Sequence, residues 1–296
     1  MKRRELLKMV PAAAGASLIP SARADAPKST GGSARIKSAL CAYSYREQLQ
    51  SGKMSYEDLV DIAVEHGIDG LDLTVYWLPK TGMDAHLMSL RRKAYLAAVE
   101  IPAIAIRSNL CRSTDQQQQM EVAWLSHWVD VADKLGASHI RIFGGTVPDG
   151  ATDDQAAGWV VEILKRAAEY AGKKGVILGI ENHGGITLYG ERVVSIVNAV
   201  DSPWVGINLD TGNFRRDPYR EIEMCVPHAV NAQFKTMMNF EDGRHEASDW
   251  DRVMKMFAAS GYKGYVSLEY EGEEPVATAV PKYLAQLRDL SKKYST

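Results

Sequence analysis

Gly175-Val176-Ile177-Leu178-Gly179-Ile180-Glu181-Asn182-His183-Gly184-Gly185 is the stretch that decides how this chain is read. A short apolar run bounded by glycine fits a strand buried on both faces. It ends abruptly in a carboxylate, an amide and an imidazole, and two glycines then break it. Packing alone does not place Glu181 and His183 there. A buried carboxylate is costly unless a cation or hydrogen-bond donors meet it.

The pattern recurs downstream. Val205-Gly206-Ile207-Asn208-Leu209 ends in Asp210, Val230-Asn231-Ala232 leads to Gln233, Phe234 and Lys235, and Gly264-Tyr265-Val266-Ser267-Leu268 ends in Glu269. From Glu181 to Asp210 is 29 residues, from Asp210 to Gln233 is 23, and from Gln233 to Glu269 is 36. A strand–loop–helix–loop unit takes about 30 residues, the size of one repeat in an eightfold α/β barrel. Parallel strands put their C-terminal ends on one rim, so these four oxygen-bearing side chains can converge there.

Working outward, four further units precede this set. Strands are predicted at Ile36–Tyr43, Gly70–Thr74, Ile101–Arg107 and His139–Phe143. Ser55 caps a helix over Tyr56–His66, Asp84 opens one to about Glu100, Thr114 or Asp115 one to Leu135, and Thr152 one to Lys174. After Glu181 helices are predicted near Glu191–Ala199, after Asp217-Pro218, from Ser248 or Asp249 to Ala259, and over Val276–Lys293. The expectation is a single (β/α)8 TIM barrel over residues 36–296, with no second domain.

The first residues carry a processing signal instead of fold. Lys2-Arg3-Arg4-Glu5-Leu6-Leu7-Lys8 is a twin-arginine pattern, a weakly apolar run follows from Met9 to Ile19, and Ala22-Arg23-Ala24 is a small-x-small cleavage site. The expected division is a signal peptide over 1–24, a flexible leader over 25–35 and the barrel thereafter, in a protein exported to the periplasm or beyond. The apolar run is too short to span a bilayer, so no stable membrane anchor is expected after cleavage. The formal net charge is −2 with a pI of about 6.4, which gives no footprint for nucleic acid. The three cysteines are odd in number and widely spaced, which points to neither a disulfide framework nor a zinc knuckle. A homo-oligomer is compatible with this composition.

Two Glu, one Asp and one Gln make an all-oxygen donor set, which hard cations such as Mg2+ or Mn2+ prefer. The segments Ile180–His183, Asn208–Asn213, Gln233–Lys235 and Gly261–Glu269 resemble the xylose isomerase-like TIM-barrel superfamily, and more closely its sugar isomerase/epimerase branch. The resemblance runs from about Ile36 to the C-terminus. It implies a divalent metal, Mn2+ or Mg2+, held by Glu181, Asp210, Gln233 and Glu269. Gln233 stands where the family commonly has His, and Asn213 where the endonuclease IV branch has a His, so DNA repair is not expected. The implied chemistry is proton transfer next to the carbonyl of a keto sugar through a metal-stabilised enediolate, with Glu181 and Glu269 as paired bases.

His183 shares strand parity with Glu181 and is a further catalytic candidate as proton donor. Lys235, Arg107, Asn109, Asn182 and His245 are candidates for holding the substrate, and Tyr43 and Trp77 for an apolar wall on which a sugar ring stacks. The expected substrate is a small, unphosphorylated sugar. Other readings stay open at this point. The same enediolate can expel the aglycone of a 3-keto-glycoside, which makes the protein a lyase. A non-catalytic sugar-binding barrel, a metal-dependent hydrolase and a glutamate-pair glycosidase also fit a carboxylate-lined rim.

Overall fold

A computed structural model describes residues 32–295. The twin-arginine pattern, its cleavage site and the leader up to residue 31 lie outside the described residues. The barrel strands are β1 (Arg35–Cys41), β2 (Gly70–Thr74), β3 (Glu100–Ala105), β4 (His139–Phe143), β5 (Ile177–Glu181), β6 (Val205–Asp210), β7 (Ala229–Phe234) and β10 (Lys263–Leu268). All eight run parallel and close on themselves in the order β1-β10-β7-β6-β5-β4-β3-β2. Two short strands, β8 (Met237–Asn239) and β9 (His245–Ala247), form an antiparallel hairpin between β7 and the next helix. The single (β/α)8 barrel expected from the sequence is therefore the observed fold.

The helices follow from capping and period. Around the barrel lie α2 (Tyr56–His66), α3 (Met83–Leu96), α4 (Asp115–Leu135), α5 (Asp153–Lys174), α6 (Gly190–Val200), α7 (Pro218–Cys225), α8 (Trp250–Ala259) and α9 (Val276–Tyr294), with a short α1 (Arg46–Gln50) after β1. The Ser55 hydroxyl accepts from the Asp58 amide while the Asp58 carboxylate accepts from the Ser55 amide, a reciprocal box that fixes the start of α2. Thr152 and Gln155 do the same for α5. Three ends fall short of expectation, β3 stopping at Ala105 instead of Arg107. The first strand ends at Cys41, and Ala42–Tyr45 turn as a 3-10 segment. Helix α3 stops at Leu96, where Ala98 takes a positive φ of 56° and turns the chain into β3.

Helix and sheet share one apolar layer. Leu178 and Ile180 of β5, Leu209, Phe234 and Leu268 meet Val160 and Leu164 of α5, Val193 and Ile196 of α6, and Leu284 and Leu287 of α9, all buried. Each such side chain contributes about 1.5–3 kcal/mol on leaving water. The barrel lumen, by contrast, is polar. Asp72, Arg141, Asn208, Asn231, Gln233 and Ser267 alternate along their strands with the apolar residues that face the helices, and all are buried. At the other end of the barrel the chain is clasped: Ser295 Oγ accepts from the Ile36 amide at 2.8 Å and donates to the Ile36 carbonyl at 2.9 Å.

His139 sits low in this lumen. A Cβ at Gly179 would stand 2.1 Å from His139 Nε2, so the neighbouring strand takes glycine there. Both ring nitrogens are buried without a hydrogen-bond partner among the described residues. Burial, helped by the Arg141 charge, pushes this imidazole down to about 3. Below the ordinary value of 6.5 the unfolded chain binds a proton at His139 that the folded chain refuses until about pH 3, so stability drains as pH falls through that window. The expected cost to the wild type is about 2 kcal/mol between pH 7 and pH 5. His139→Leu should abolish this increment in urea melts, and parallel losses in the two proteins would refute the assignment.

Candidate active site

Glu181 ends β5 with its side chain turned into the barrel, buried. Its Oε2 faces Arg141 Nε of the adjacent β4 at 2.9 Å, and its Oε1 accepts from Asn213 Nδ2 at 3.0 Å. Arg141 is itself anchored, donating to the Tyr76 hydroxyl and the Ile106 carbonyl, both at 3.0 Å. Its charge is locked on, because the carboxylates and Tyr76 around it outweigh burial. Burial nonetheless pushes the Glu181 carboxyl well up, and Asp210 and Glu269 add to the rise while Arg141 opposes it.

Lys235 follows β7 and stands between the other carboxylates. Its Nζ lies 3.1 Å from Glu269 Oε1 and 3.5 Å from Asp210 Oδ2, and it also contacts Glu271. Burial works against its charge, but Asp210, Glu269 and Glu271 hold it firmly protonated. The second Glu269 oxygen receives the Cys41 thiol at 3.6 Å. Burial alone would raise Glu269, yet Lys235 and Arg141 together hold it below the usual carboxylate range. Asp210 is pushed up to about 7 by burial, against the pull of Lys235. Glu181 and Glu269, separated around the barrel by β6 and β7, are therefore driven in opposite directions.

Beneath them runs a ladder of amides. Asn208 Nδ2 donates to Gln233 Oε1 at 2.9 Å, and Asn231 Nδ2 donates to Asn208 Oδ1 at 2.9 Å. Gln233 Nε2 and Asn231 Nδ2 both donate to Asp72 Oδ2, at 3.3 and 3.2 Å. Gln233, expected as the fourth metal ligand, thus has its amide orientation fixed from below, with one carbonyl lone pair already used. Burial raises Asp72 to about 6, against the Arg141 charge.

The donor chemistry fits a hard divalent cation. Asp72, Glu181, Asp210, Glu269 and Glu271 face only Arg141 and Lys235, leaving three negative charges in excess when all are ionised. Asp210 Oδ2 is buried with no hydrogen-bond donor, only the Lys235 ion pair. Among the described residues no three His, Cys, Asp or Glu side chains stand ready-assembled around one point. The Lys235 ammonium holds the space between Asp210 and Glu269.

The other candidates divide. His183 packs on Phe143 with ring centres 4.1 Å apart, its pKa lowered by burial and Arg141, and it lines a 190 Å3 cleft with Asn109. Asn109 Oδ1 also accepts from the Cys111 amide at 3.2 Å. Tyr43 and Trp77 stack at 6.3 Å, Trp77 meets Tyr76 edge-on at 5.7 Å, and Arg107 lies 4.4 Å over the Tyr76 ring. Asn182 is committed elsewhere: it donates to the Asp210 carbonyl and accepts from the Asp210 amide, both at 2.9 Å, which ties β6 to the end of β5. His245 stands on the hairpin, its Nδ1 2.5 Å from Asn239 Oδ1, on the wall of a 710 Å3 cavity whose floor includes Lys235. Sequence reasoning missed Arg141, Asp72 and Tyr76. The available signal was alternation, since Arg141 and Asp72 interrupt apolar strands at every second position.

Arg141→Met should leave Glu181 buried without its cation and cost about 3–5 kcal/mol in chemical denaturation. Adding Glu181→Gln should recover most of that loss. An additive double variant would show that the pair is not coupled.

The family model described as xylose isomerase-like TIM barrel matches residues 60–292. No match was found among curated proteins. Among solved structures, the IolI protein with a bound zinc atom is 18% identical, with a TM-score of 0.69, covering 88% of this chain and 99% of its own. D-psicose 3-epimerase from Clostridium cellulolyticum H10 is 18% identical at a TM-score of 0.67, covering 88% and 98%. The 3-keto-D-glucoside 4-epimerase YcjR from E. coli is 13% identical at 0.66, covering 86% and 99%. At these identities the likeness to each is one of fold. The family match over residues 60–292, together with the closed eight-stranded barrel, shows that the chain belongs to the xylose isomerase-like TIM barrel family.

Proposed function

We propose that this barrel is an isomerase- or epimerase-like enzyme that moves a proton next to the carbonyl of an unphosphorylated keto sugar through an enediolate. The observation that carries this reading is the pair Glu181 and Glu269. They are buried on one rim and separated by two strands, with the Lys235 ammonium against Glu269. Environments that drive two carboxyls apart assign an acid and a base. Glu269, held ionised, takes the proton from carbon. Glu181, driven toward its protonated form, returns one from another side, and both then re-equilibrate with water. Lys235 lies where negative charge grows on the enediolate oxygens. Neutral His183 donates to a substrate hydroxyl, and Tyr43, Tyr76 and Trp77 cover the apolar face of the ring.

A divalent cation, Mn2+ or Mg2+, would be held by Glu181, Asp210, Gln233 and Glu269, and when bound it supplies polarisation of the substrate carbonyl. Its uptake is supported by the charge excess and by Asp210 Oδ2, which is buried and accepts no hydrogen bond among the described residues. The absence of phosphate from the substrate is supported by the loop after β10. Barrels often bind phosphate after their seventh and eighth strands, and here that loop carries Glu271, Glu273 and Glu274. Elimination is the second reading. With a glycosidic oxygen β to the carbonyl, the enediolate electrons form the new double bond, the C–O bond breaks and the departing oxygen takes a proton. The cavity beside Lys235 favours it. Export by the twin-arginine route belongs to the same proposal, supported by residues 2–8 and 22–24. Mass spectrometry of the exported protein should find Asp25 at its start.

Solvent deuterium should wash into ketoses or 3-keto-glycosides with Mn2+-loaded protein and cease on chelation. Glu269→Gln should lower the rate by about 10²–10⁴-fold. Asp210→Asn should lose the Mn2+ signal in equilibrium dialysis. Tight sugar binding that survives chelation, with no exchange on any substrate, would replace the enzyme by a binding barrel.

A further inference from the structure

Among the depressions lined by the described residues, two lie at opposite ends of the barrel. One, of 650 Å3, is lined by Arg91, Tyr95 and Pro102 at the end remote from the carboxylates. The other, of 710 Å3, opens on the catalytic rim above β6, β7 and β10. Both fall in the range of small-molecule sites, about 300–1,000 Å3. Only the second shares residues with the chemistry.

Its floor contains Asn213, which donates to Glu181, and Lys235, which binds Glu269. One wall is the β8–β9 hairpin with Asn239 and His245, latched to the preceding loop where the Glu241 amide donates to the Arg215 carbonyl at 3.0 Å. The opposite wall is the loop from Glu271 to Glu274. It is fixed by the Tyr270 hydroxyl on the Glu274 carbonyl at 2.8 Å, by Lys282 on Glu274 at 2.6 Å, and by Tyr270 stacked on Tyr283. Both walls are thus braced by their own contacts, as a pre-formed site requires.

The lining chemistry narrows the occupant. Arg215 and Glu273 form no ion pair among the described residues, and Asn213 and Asn239 add amide groups. Donors and acceptors of both signs suit an uncharged, hydroxyl-bearing group. Glu271, Glu273 and Glu274 repel a phosphate or a carboxylate. A free ketose bound over Glu181, Lys235 and Glu269 would leave this space to water.

We propose that the cavity between the β8–β9 hairpin and the Glu271–Glu274 loop is a second sugar subsite, so that the substrate is a keto-glycoside whose oxidised ring lies over the carboxylates and whose second hydroxylated unit fills the cavity. This rests on the enediolate reading above and adds the substrate class to it. Arg215 and Glu273 then set specificity without touching the reacting carbon.

The test compares free 3-keto-glucose, its methyl glycoside and 3-keto derivatives of cellobiose, sucrose and trehalose by deuterium wash-in. At least one disaccharide should exceed the free sugar in kcat/KM. Arg215→Ala and Glu273→Ala should each raise KM for that disaccharide by about tenfold, the worth of one charge-assisted hydrogen bond, and leave the methyl glycoside unchanged. Preference for the free sugar, or equal effects of the variants on all substrates, overturns the subsite while the enediolate reading stands. Absence of exchange on every compound removes that reading. Binding of the unoxidised sugars, followed by saturation-transfer NMR, then decides the subsite alone. Tighter binding of a disaccharide than of methyl glucoside, lost in Arg215→Ala, supports it, and equal or weaker binding overturns it.

Discussion

Four buried carboxylates and the exposed Glu271 share two cations, and the rim is built around that imbalance. Glu181, Asp210 and Glu269 arrive at strand ends and Asp72 sits within β2, all four buried, so the sheet delivers charge to a place from which water is largely excluded, and Glu271 reaches it from the exposed loop after β10. A charge in such a place needs a partner or a proton. Arg141 serves Glu181, and Lys235 is shared by Asp210, Glu269 and Glu271. Two cations cannot satisfy all five, and the remainder shows as raised carboxyls at Glu181, Asp210 and Asp72. A group suspended between proton and cation is a group able to exchange either.

The amide ladder below explains how the basin keeps its shape. Asn208, Asn231 and Gln233 satisfy one another across neighbouring strands and finish on Asp72, so the lumen floor is hydrogen-bonded in place of an apolar plug. A fully paired buried network rigidifies its surroundings, whereas a partly paired one is a weakness. Asp72 Oδ1, Ser267 Oγ and both His139 nitrogens are left over. Strength therefore resides in the apolar layer outside the sheet, and the lumen trades stability for orientation.

The sequence makes the barrel legible because apolar runs end in oxygen-bearing residues at intervals of about one strand–helix unit. Glu181, Asp210 and Glu269 stand on the rim where that spacing puts them, and Tyr43 and Trp77 stack on each other. Arg141 stayed hidden because His139–Phe143 reads as an apolar strand and its inward parity matters only once the barrel is closed. The commitment of Asn182 to the Asp210 backbone depends on how two strands align, which spacing does not reveal. The hairpin was legible only as a polar loop. Met237–Asn239 and His245–Ala247 lack the β-branched residues that announce strands, and pairing with each other is what orders them.

The clasp between Ser295 and Ile36 has a topological consequence. β1 and β10 pair as any two neighbouring strands do, and Ser295 fastens α9 to the first strand from beneath. Mechanically, the cylinder has no seam. Its ring of strands has no privileged first member, so the order in which the eight units are strung is a matter of covalent history more than of architecture. A chain cut in a loop at the clasped end and rejoined between α9 and β1 would face the same closure problem and meet it with the same strand pairs.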